Sequence, residues 1–494
     1  MRAAFRPLLF LNNSTNQIYM QIRALRFIFR FSAFLILTVL TAYPCAAQTS
    51  VDVNRKFTPE QLIEDVDFYV KTLEEAHANP YVYISRKEWQ ARADGVKSRI
   101  AKQGAMTQYE FWRIFTPLVS ALQDKHSGVV DPRFFIPNNP TKYLPVHTVY
   151  IDGKILVTDA AAADVKIPKG AVITSINGMK SDEVIRRISE YRFGVERERI
   201  TDAGEWLWIG AAEVFGKPDN FALTFSDGTK AELKGLTISE KLQREKAARV
   251  NQPKPASNAP LELKFLEGGS VAYVNASTFD YDSEKYKALL AEIFTQIKAS
   301  GAKTLIMDLR DNTGGSSALG DALLDMFNDK PYKHFSSKWK KSLQFVERLK
   351  SQNAPIPDYY LNLKPGDIYA FKPRIVQPGE NPLRFKGKVY VLSGRNTFSS
   401  GQMFLAIVKD NKLATIIGEE TNEPACYAGE VFPFNLPNSR LRVTLSVKYW
   451  TSPGGCRGGR GIAADIPVKQ RAEDYIAGRD TILNAALDLI KRKR

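Results

Sequence analysis

The stretch "GKVYVLSGRNTFSSGQMFLAIVKDNK", residues 387–412, decides the fold of this chain. Its first eight residues predict a central strand, because parallel strands buried on both faces are rich in apolar residues. A polar turn follows, and residues 400–410 then continue as an apolar, helix-like run. A buried strand that leads directly into a helix indicates α/β layering.

The same alternation of strands and helices extends through residues 261–475. The predicted elements are a hairpin in "LELKFLEGGSVAYVNAS", an amphipathic helix in "SEKYKALLAEIFTQIKASGA", a central strand in "KTLIMDLR", a helix in "ALGDALLDMF" and a strand in "ATIIGEE". Residues 329–385 interrupt this order as a polar and aromatic insertion without clear periodicity, and insertions of that length are often lids or substrate walls. The fold class predicted for this part of the chain is α/β.

Two further units precede this region. Residues 55–140 contain helices, since "TPEQLIEDVDFYVKTLEEAH" repeats apolar residues at helical spacing behind a threonine cap. Residues 145–236 begin with strand-like alternation around an Asp-Gly turn and continue with a strand, an Asn-Gly turn and a helix. Residues 237–260 are charged and then rich in Pro, Ser and Asn, which predicts a linker.

The first 47 residues have the composition of an export signal. A basic segment precedes the apolar run "FSAFLILTVLTAYPCAAQ", which ends in small residues. We expect export to a bacterial periplasm or cell envelope, with cleavage after about Ala47 and no membrane span in the mature protein. Tethering by an uncleaved leader is the alternative.

The net charge of the chain is +16, and five arginines in the leader account for part of it, which leaves +11. No nucleic-acid motif accompanies this charge, so a basic surface facing an acidic envelope is the better interpretation. The cysteines beyond the leader are Cys426 and Cys456. In an oxidising compartment they can pair, and two free thiols are the alternative.

Ser399 and Ser400 stand where the predicted strand turns into the helix. The free amides and dipole of a helix start favour a developing negative charge, and such a turn exposes a hydroxyl, as in a nucleophile elbow. A helix cap is the simpler interpretation of either serine. This segment alone leaves both open.

Two other segments bear on that choice. Gly314 and Gly315 follow a buried strand, where glycine lets the backbone approach a ligand and aim amides at an anion; a tight turn is the alternative. A serine also needs a base. The chain has four histidines, and His126 lies in the polar loop "LQDKHSG", where a structural role is the alternative.

The order of these three segments resembles the tail-specific proteases, also called carboxyl-terminal processing peptidases. The shared features are an early Asp-x-His, then Asp-Leu-Arg-x-Asn-x-Gly-Gly, then Thr-x-Ser-Ser-Gly-Gln, over roughly residues 60–470. The resemblance implies a mixed-sheet protease core with ClpP/crotonase-like layering, an N-terminal helical subdomain, a PDZ-like β-rich insert over 145–236 and a C-terminal helix over 476–494.

The resemblance also implies roles for individual residues. Ser399 is the expected nucleophile, because Gln402 occupies the family's acidic or amide position three residues later. The backbone N–H of Ser400, with that of Gly314 or Gly315, would form the oxyanion hole. Pro424 stands where one branch of the family has its lysine base, so His126 is the expected base, as in the tricorn-core-like branch.

That branch orients its histidine with a glutamate near the end of the core, and "TSPGGCRGGRGIAAD" contains none. The candidates for this role are Ser127, Asp465, Glu430 and Asp124. A disulfide between Cys426 and Cys456 would fix a wall of the site.

The implied activity is that of a secreted serine endopeptidase that cleaves polypeptides through an acyl-enzyme. Its PDZ-like domain would capture chain termini by strand addition or cover the site as a gate. No cofactor, metal or nucleic acid is expected. The alternative is an inactive or ligand-binding protein on the same scaffold.

Overall fold

A computed structural model describes residues 54–136, 139–216, 218–248 and 259–492. The predicted leader, residues 1–47, lies outside the described residues. The chain forms an N-terminal helical domain, a middle domain and an α/β core, which are described in that order.

The N-terminal domain contains three helices, each of which starts with a capping box: α1 (Pro59–Ala76), α2 (Arg86–Gln103) and α3 (Gln108–Ser120). In each box the Thr or Ser side chain at the N-cap accepts from the backbone N–H three residues later, and the Glu or Gln side chain at that later position accepts from the backbone N–H of the N-cap residue. The short strands β1 (Lys56–Phe57) and β2 (Met106–Thr107) pair antiparallel. Helix α3 leads into the loop that carries His126.

The middle domain is an antiparallel sheet covered by helices. Its strands are β4 (His147–Ile151), β5 (Lys154–Asp159), β6 (Val172–Ile176), β7 (Met179–Lys180), β8 (Asn220–Phe225) and β9 (Lys230–Lys234). Its helices are α4 (Ser181–Ser189), α5 (Glu196–Glu205) and α6 (Leu207–Phe215). The predicted Asp-Gly hairpin joins β4 to β5. Helices α5 and α6 were not expected from the sequence.

The predicted linker over 237–260 is helical in its first half. Helix α7 spans Ile238–Ala248 and buries Lys241 and Glu245. Both side chains contact His147 of the middle domain, and the Lys241 ammonium lies 4.7 Å from the ring centre of Trp208. The sequence of α7 is polar although the helix packs on the middle domain, because its buried charged side chains pair with one another and with His147. Residues 249–258 lie outside the described residues.

The core sheet has the strand order β10-β11-β12-β17-β18-β21. Its strands are β10 (Leu261–Leu266), β11 (Val271–Ala276), β12 (Thr304–Asp308), β17 (Lys388–Ser393), β18 (Thr415–Gly418) and β21 (Ile466–Pro467). Only β10 runs antiparallel to its neighbour. The strands predicted to be central, β12 and β17, are central, and the α/β class is confirmed.

Helices cover both faces of this sheet. They are α8 (Ser283–Ser300), α9 (Ser317–Asp325) and α12 (Ser400–Asp410) on one face and α14 (Thr481–Arg492) on the other, with the short α13 (Ala472–Ile476) before α14. Since β12 and β17 are parallel neighbours, with Asp308 opposite Leu392, the loops after them leave the same edge of the sheet. Those loops carry Gly314 and Ser399.

A second sheet connects the N-terminal domain to the core. Its order is β15-β14-β20-β19, and its strands are β14 (Ser336–Lys340), β15 (Ile368–Phe371), β19 (Tyr427–Asn435) and β20 (Arg442–Thr451). Strand β3 (Gly128–Val129) pairs with β20. Because β3 follows His126 directly, this pairing carries the histidine to the core.

The insertion at 329–385 is ordered rather than irregular. It contributes β14 and β15 to the second sheet, the helices α10 (Leu343–Ser351) and α11 (Asp358–Leu361), and the antiparallel pair β13 (Tyr332–Lys333) and β16 (Ile375–Val376). Trp339 of β14 stacks on Tyr360 at 4.1 Å. The insertion is therefore a packed part of the sheet that also receives β3.

Candidate active site

Ser399 occupies the sharp turn between β17 and α12. Its φ is +54° and its ψ −123°, a conformation that non-glycine residues rarely adopt and that is often found at functional sites. Neighbouring contacts hold the turn: the Phe398 N–H donates to the Asn312 carbonyl at 2.9 Å, and the Thr397 hydroxyl donates to the Leu309 carbonyl at 2.8 Å. The Ser399 side chain forms no capping hydrogen bond, so the cap interpretation does not apply to it.

The two serines have different partners. The Ser399 hydroxyl oxygen lies 3.2 Å from Nε2 of His126. The Ser400 hydroxyl instead donates to the Gly315 carbonyl at 2.7 Å. Of the two side chains, that of Ser399 is therefore placed beside a base.

The ring of His126 is held between two aromatic side chains. It stacks on Phe398 with ring centres 4.6 Å apart and on Tyr427 at 5.7 Å. Tyr427 also donates its hydroxyl to the Ser399 carbonyl at 3.2 Å. The stacking fixes the plane of the imidazole, so Nε2 stays directed at the serine.

Asp124 organises the loop that presents His126. Its carboxylate accepts from the His126 backbone N–H at 2.9 Å and from the Ser127 hydroxyl at 2.5 Å. His77 Nε2 lies 3.2 Å from the same carboxylate, while its Nδ1 accepts from the Asn79 N–H, which places the proton on Nε2. Burial opposes ionisation, but these contacts hold the pKa of Asp124 below its usual value.

His126 is almost fully buried, at 5% exposure. Burial lowers its pKa to about 4; Asp124 opposes this shift and Lys125 adds to it. The imidazole is therefore neutral at physiological pH. A neutral imidazole can accept the serine proton, as a general base must.

The Gly314-Gly315 turn packs directly on the nucleophile turn. A Cβ added at Gly314 would lie 2.8 Å from that of Ser399, and one at Gly315 would lie 2.1 Å from the backbone of Phe279. The Gly314 N–H donates to the Asn312 side chain at 2.9 Å, so it is already engaged. The N–H groups of Gly315 and Ser400 are the better candidates for oxyanion donors.

Glu423 is a site residue that the sequence did not indicate. One carboxylate oxygen, Oε2, accepts from the Ser399 N–H at 2.6 Å, and the other, Oε1, lies 3.7 Å from Nδ1 of His126. Among the described residues, neither that Oε1 nor that Nδ1 has a hydrogen-bond partner, and both are buried. Glu423 lies in the loop after β18, and loops at the carboxyl ends of parallel strands are the usual place for a site; that rule was the available signal.

The acidic candidates suggested for orienting His126 lie elsewhere. Asp465 pairs with Lys409, near the end of α12 opposite to Ser399. Glu430 is exposed and pairs with Lys448 at 3.1 Å. The predictions that Asp465 or Glu430 orients His126 are wrong, because each carboxylate forms an ion pair with a lysine away from the imidazole.

Ser127 also does not reach the imidazole. Its hydroxyl donates to Asp124 and accepts from the Ser446 N–H at 3.0 Å. Ser127 and Asp124 support the backbone of the loop instead of the ring of His126.

A disulfide joins Cys426 and Cys456. Cys426 lies between Glu423 and Tyr427, so the bridge ties the loop bearing these two side chains to the turn at residues 452–459. Asp410 holds that turn as well, through Ser452, Arg457 and the Gly454 N–H.

Helix α5 of the middle domain contacts several loops of the site. The contacts join Asp202 to Lys125, Thr201 to Asn422, Glu205 to Arg395 and to Asn396, and Arg197 to the Gly459 carbonyl. Glu198 of the same helix lines a cleft together with His126, Glu423, Tyr83 and Tyr449. The middle domain is therefore attached to the catalytic loops.

Within the described ranges, no cluster of three or more His, Cys, Asp or Glu side chains is arranged to bind a metal ion. In the same part of the chain, none of the helices is both long and apolar enough to span a membrane.

A serine in a strained strand-to-helix turn beside a neutral histidine defines the catalytic machinery of a serine-type peptidase. Residues 270–468 match the model of peptidase family S41. Over this segment the chain is similar to the tail-specific, or carboxyl-terminal processing, proteases. The matched segment includes Ser399, Gly315 and Glu423, whereas His126 precedes it.

Solved structures share the fold. The structure of mature CPAF complexed with lactacystin is 15% identical, with a TM-score of 0.62 over 88% of this chain and 98% of that chain. The crystal structure of mature CPAF is also 15% identical, with a TM-score of 0.59 over 85% and 94%. At this identity the likeness concerns the fold alone. No curated protein sequence matches the chain.

Proposed function

We propose that this chain is an exported serine endopeptidase that cleaves polypeptides through an acyl-enzyme on Ser399, with His126 as the base. The observation that carries this proposal is the 3.2 Å separation between the Ser399 hydroxyl and Nε2 of His126. That distance is within the range for proton transfer between such groups.

In the first half of the reaction, the hydroxyl proton of Ser399 moves to Nε2 of His126 as Oγ attacks the peptide carbonyl. The oxyanion accepts from the N–H groups of Ser400 and Gly315, each donor supplying about 3 kcal/mol to the transition state. The C–N bond breaks, and Nε2 returns the proton to the leaving amine. Water then gives a proton to Nε2 and attacks the ester carbonyl; the bond between that carbon and Oγ breaks, Nε2 returns the proton to Oγ, and the acid is released.

The test is hydrolysis of an unfolded polypeptide by the chain from residue 48 onward. Ser399→Ala and His126→Ala should each lower kcat/KM by a factor of about 10³ or more. Ser98→Ala, an exposed helical serine, and His334→Asn, which lies outside the site, are the matched controls. Wild-type activity in Ser399→Ala would remove the nucleophile, and wild-type activity in His126→Ala would remove the base.

Labelling by a fluorophosphonate tests the inactive-scaffold alternative. The wild-type protein should be labelled at Ser399, because Nε2 of His126 is unprotonated and available to take the hydroxyl proton. A correctly folded wild-type protein that takes no label would support a binding protein on this scaffold.

We also propose that the middle domain captures the carboxyl terminus of the substrate by strand addition, as PDZ-like modules do. The support is its antiparallel sheet and the attachment of α5 to the site. Paired substrates that differ only in a free or an amidated carboxyl terminus test this. Equal KM values for the two would exclude terminal capture.

Export is proposed from the composition of residues 1–47, and the disulfide between Cys426 and Cys456 is compatible with an oxidising compartment. Expression of the full chain in a bacterium with fractionation and N-terminal sequencing tests it. A new terminus near residue 48 in the periplasmic fraction is expected, and an uncleaved cytoplasmic protein would contradict it.

A further inference from the structure

We propose that Glu423 is the positioning residue of the catalytic pair: its carboxylate accepts the Nδ1–H of His126, which keeps Nε2 unprotonated toward Ser399. The inference rests on the proposed function, since it assigns a partner to the proposed base. It differs from the expectation for the family, because this carboxylate comes from the loop after β18.

Two buried atoms without partners face each other at this point. Oε1 of Glu423 and Nδ1 of His126 are 3.7 Å apart, and neither has a hydrogen-bond partner in the described part of the chain. Leaving buried polar groups unpaired is unfavourable, so a small movement that brings the two atoms together lowers the free energy. Catalytic hydrogen bonds are often long in unliganded sites and shorten when substrate binds.

The surroundings permit that movement and restrict others. Phe398 and Tyr427 stack on the imidazole and hold its plane, so the ring can shift mainly within that plane. The Ser399 N–H fixes the second oxygen of Glu423 at 2.6 Å. One carboxylate thus holds both the nucleophile turn and the base.

The loop around Glu423 is anchored independently of the imidazole. Gln402 donates to the Pro424 carbonyl at 2.5 Å, and Thr421 donates to the Glu423 carbonyl at 3.2 Å. The disulfide follows at Cys426. These contacts fix the carboxylate before substrate binds, as a positioning residue requires.

A backbone carbonyl is the competing acceptor. The carbonyl of Ala428 also interacts with the His126 ring and favours its protonated form. Such an acceptor would hold an imidazole N–H without carrying a charge. Only a carboxylate both fixes the tautomer and stabilises the imidazolium that forms during catalysis, and this difference can be measured.

Burial and the neighbouring charges shift the pKa of Glu423. Burial raises its pKa well above the usual range; Glu198 and Asp124 add to this, and the Ser399 N–H and Lys125 oppose it. Lys125 is paired with Asp202 at 3.0 Å. The phenols of Tyr83 and Tyr427 also face the group.

Because Oε2 accepts from the Ser399 N–H, a proton on Glu423 would lie on Oε1. That oxygen would then donate to Nδ1 of His126 instead of accepting from it, and the ring proton would lie on Nε2, where it blocks the base. Activity should therefore rise as pH is raised through the titration of Glu423. Burial also raises the pKa of Glu198, to about 7. Glu198→Gln removes a neighbouring negative charge, so Glu423 should ionise at lower pH and the acid limb of kcat/KM should move to lower pH.

The experiment measures kcat/KM against pH, with the rate of fluorophosphonate labelling, for four variants. Glu423→Gln should lower kcat/KM by a factor of about 10²–10⁴, and Glu423→Asp should recover part of the loss. Glu420→Gln, on the same loop but paired with Arg460, is the matched control and should retain activity. Glu198→Gln should be active at pH 8 with its acid limb shifted.

The outcomes separate this inference from the proposed function. Wild-type kcat/KM and pH profile in Glu423→Gln would overturn the role of Glu423 while Ser399 and His126 keep theirs. An unshifted acid limb in Glu198→Gln would also count against it, whether or not Glu423→Gln folds. Wild-type activity in Ser399→Ala would instead overturn the proposed function.

Discussion

The hydroxyl oxygen of Ser399 lies 3.2 Å from Nε2 of His126, although 273 positions separate the two residues in the sequence. The second sheet accounts for this proximity. Strand β3 pairs with β20, β20 pairs with β19, and Tyr427 at the start of β19 stacks on the His126 ring and contacts the Ser399 carbonyl. The base is therefore positioned by strand pairing between the N-terminal domain and the core.

The first prediction concerns the glycine turn. Gly315→Ala should lower activity by a factor of at least about 10², since the new Cβ would lie 2.1 Å from the Phe279 backbone and the φ of +131° is strained for alanine. Gly320→Ala is the control: this helical glycine has ordinary clearance of 3.4 Å, so the change should raise the free energy of unfolding by about 0.5–1 kcal/mol. Activity assays and urea unfolding measure both effects, and a fully active Gly315→Ala would contradict the prediction.

Local patterns were sufficient for the core strands, whereas the roles of Ser399 and His126 were assigned through the resemblance to a family. The strands β12 and β17 are apolar over their whole length, and the order of the His126, Gly314 and Ser399 segments indicated the family. The turn at Ser399 could also be located, because a strand and a helix flank it directly.

The partner of His126 could not be predicted, because it depends on which loops meet in space. Glu423 lies in "TNEPACYAG", which has no periodic pattern, and Asp465 and Glu430 were closer to the expected position along the chain. Helix α5 was missed for a related reason. Its sequence "ERERITDAGE" lacks an apolar stripe, since Glu198, Asp202 and Glu205 face charged or amide partners in the site.

The second prediction concerns the disulfide. Cys426→Ala with Cys456→Ala should lower the free energy of unfolding by about 3 kcal/mol, because the bridge closes a loop of 30 residues. Activity should fall only several-fold, since Asp410 also holds the turn at 452–457. Thermal unfolding with and without reductant measures this. The double variant is the control, because reductant should not change its unfolding temperature. If reductant also leaves the unfolding temperature of the wild-type protein unchanged, the bridge does not stabilise the fold.

The third prediction concerns the attachment of the middle domain. Glu205→Ala should lower kcat/KM by about tenfold, because Arg395 and Asn396 precede the nucleophile on its own turn and lose their partner. A double-mutant cycle with Arg395→Ala should give a coupling energy of about 1 kcal/mol. Glu232→Ala, on an edge strand of the same domain, is the control. Additive effects of the two substitutions would show that the pair does not couple the domains.

The fourth prediction concerns stability against pH and follows from the burial of His126. Its pKa is lowered to about 4 in the folded protein, against an ordinary value of 6.5, so the unfolded chain binds more protons between these pH values. Stability contributed by the neutral ring is fully present above about pH 6.5 and is lost as pH falls towards 4, with a total on the order of 3 kcal/mol. His126→Gln cannot titrate, so the difference in unfolding free energy between wild type and variant should shrink as pH falls from 7 to 4.5. Urea unfolding at several pH values measures that difference. A difference that stays constant over this range would mean that His126 has the same pKa in the folded and unfolded chains. Burial would then not be the reason that the imidazole is neutral in the folded protein.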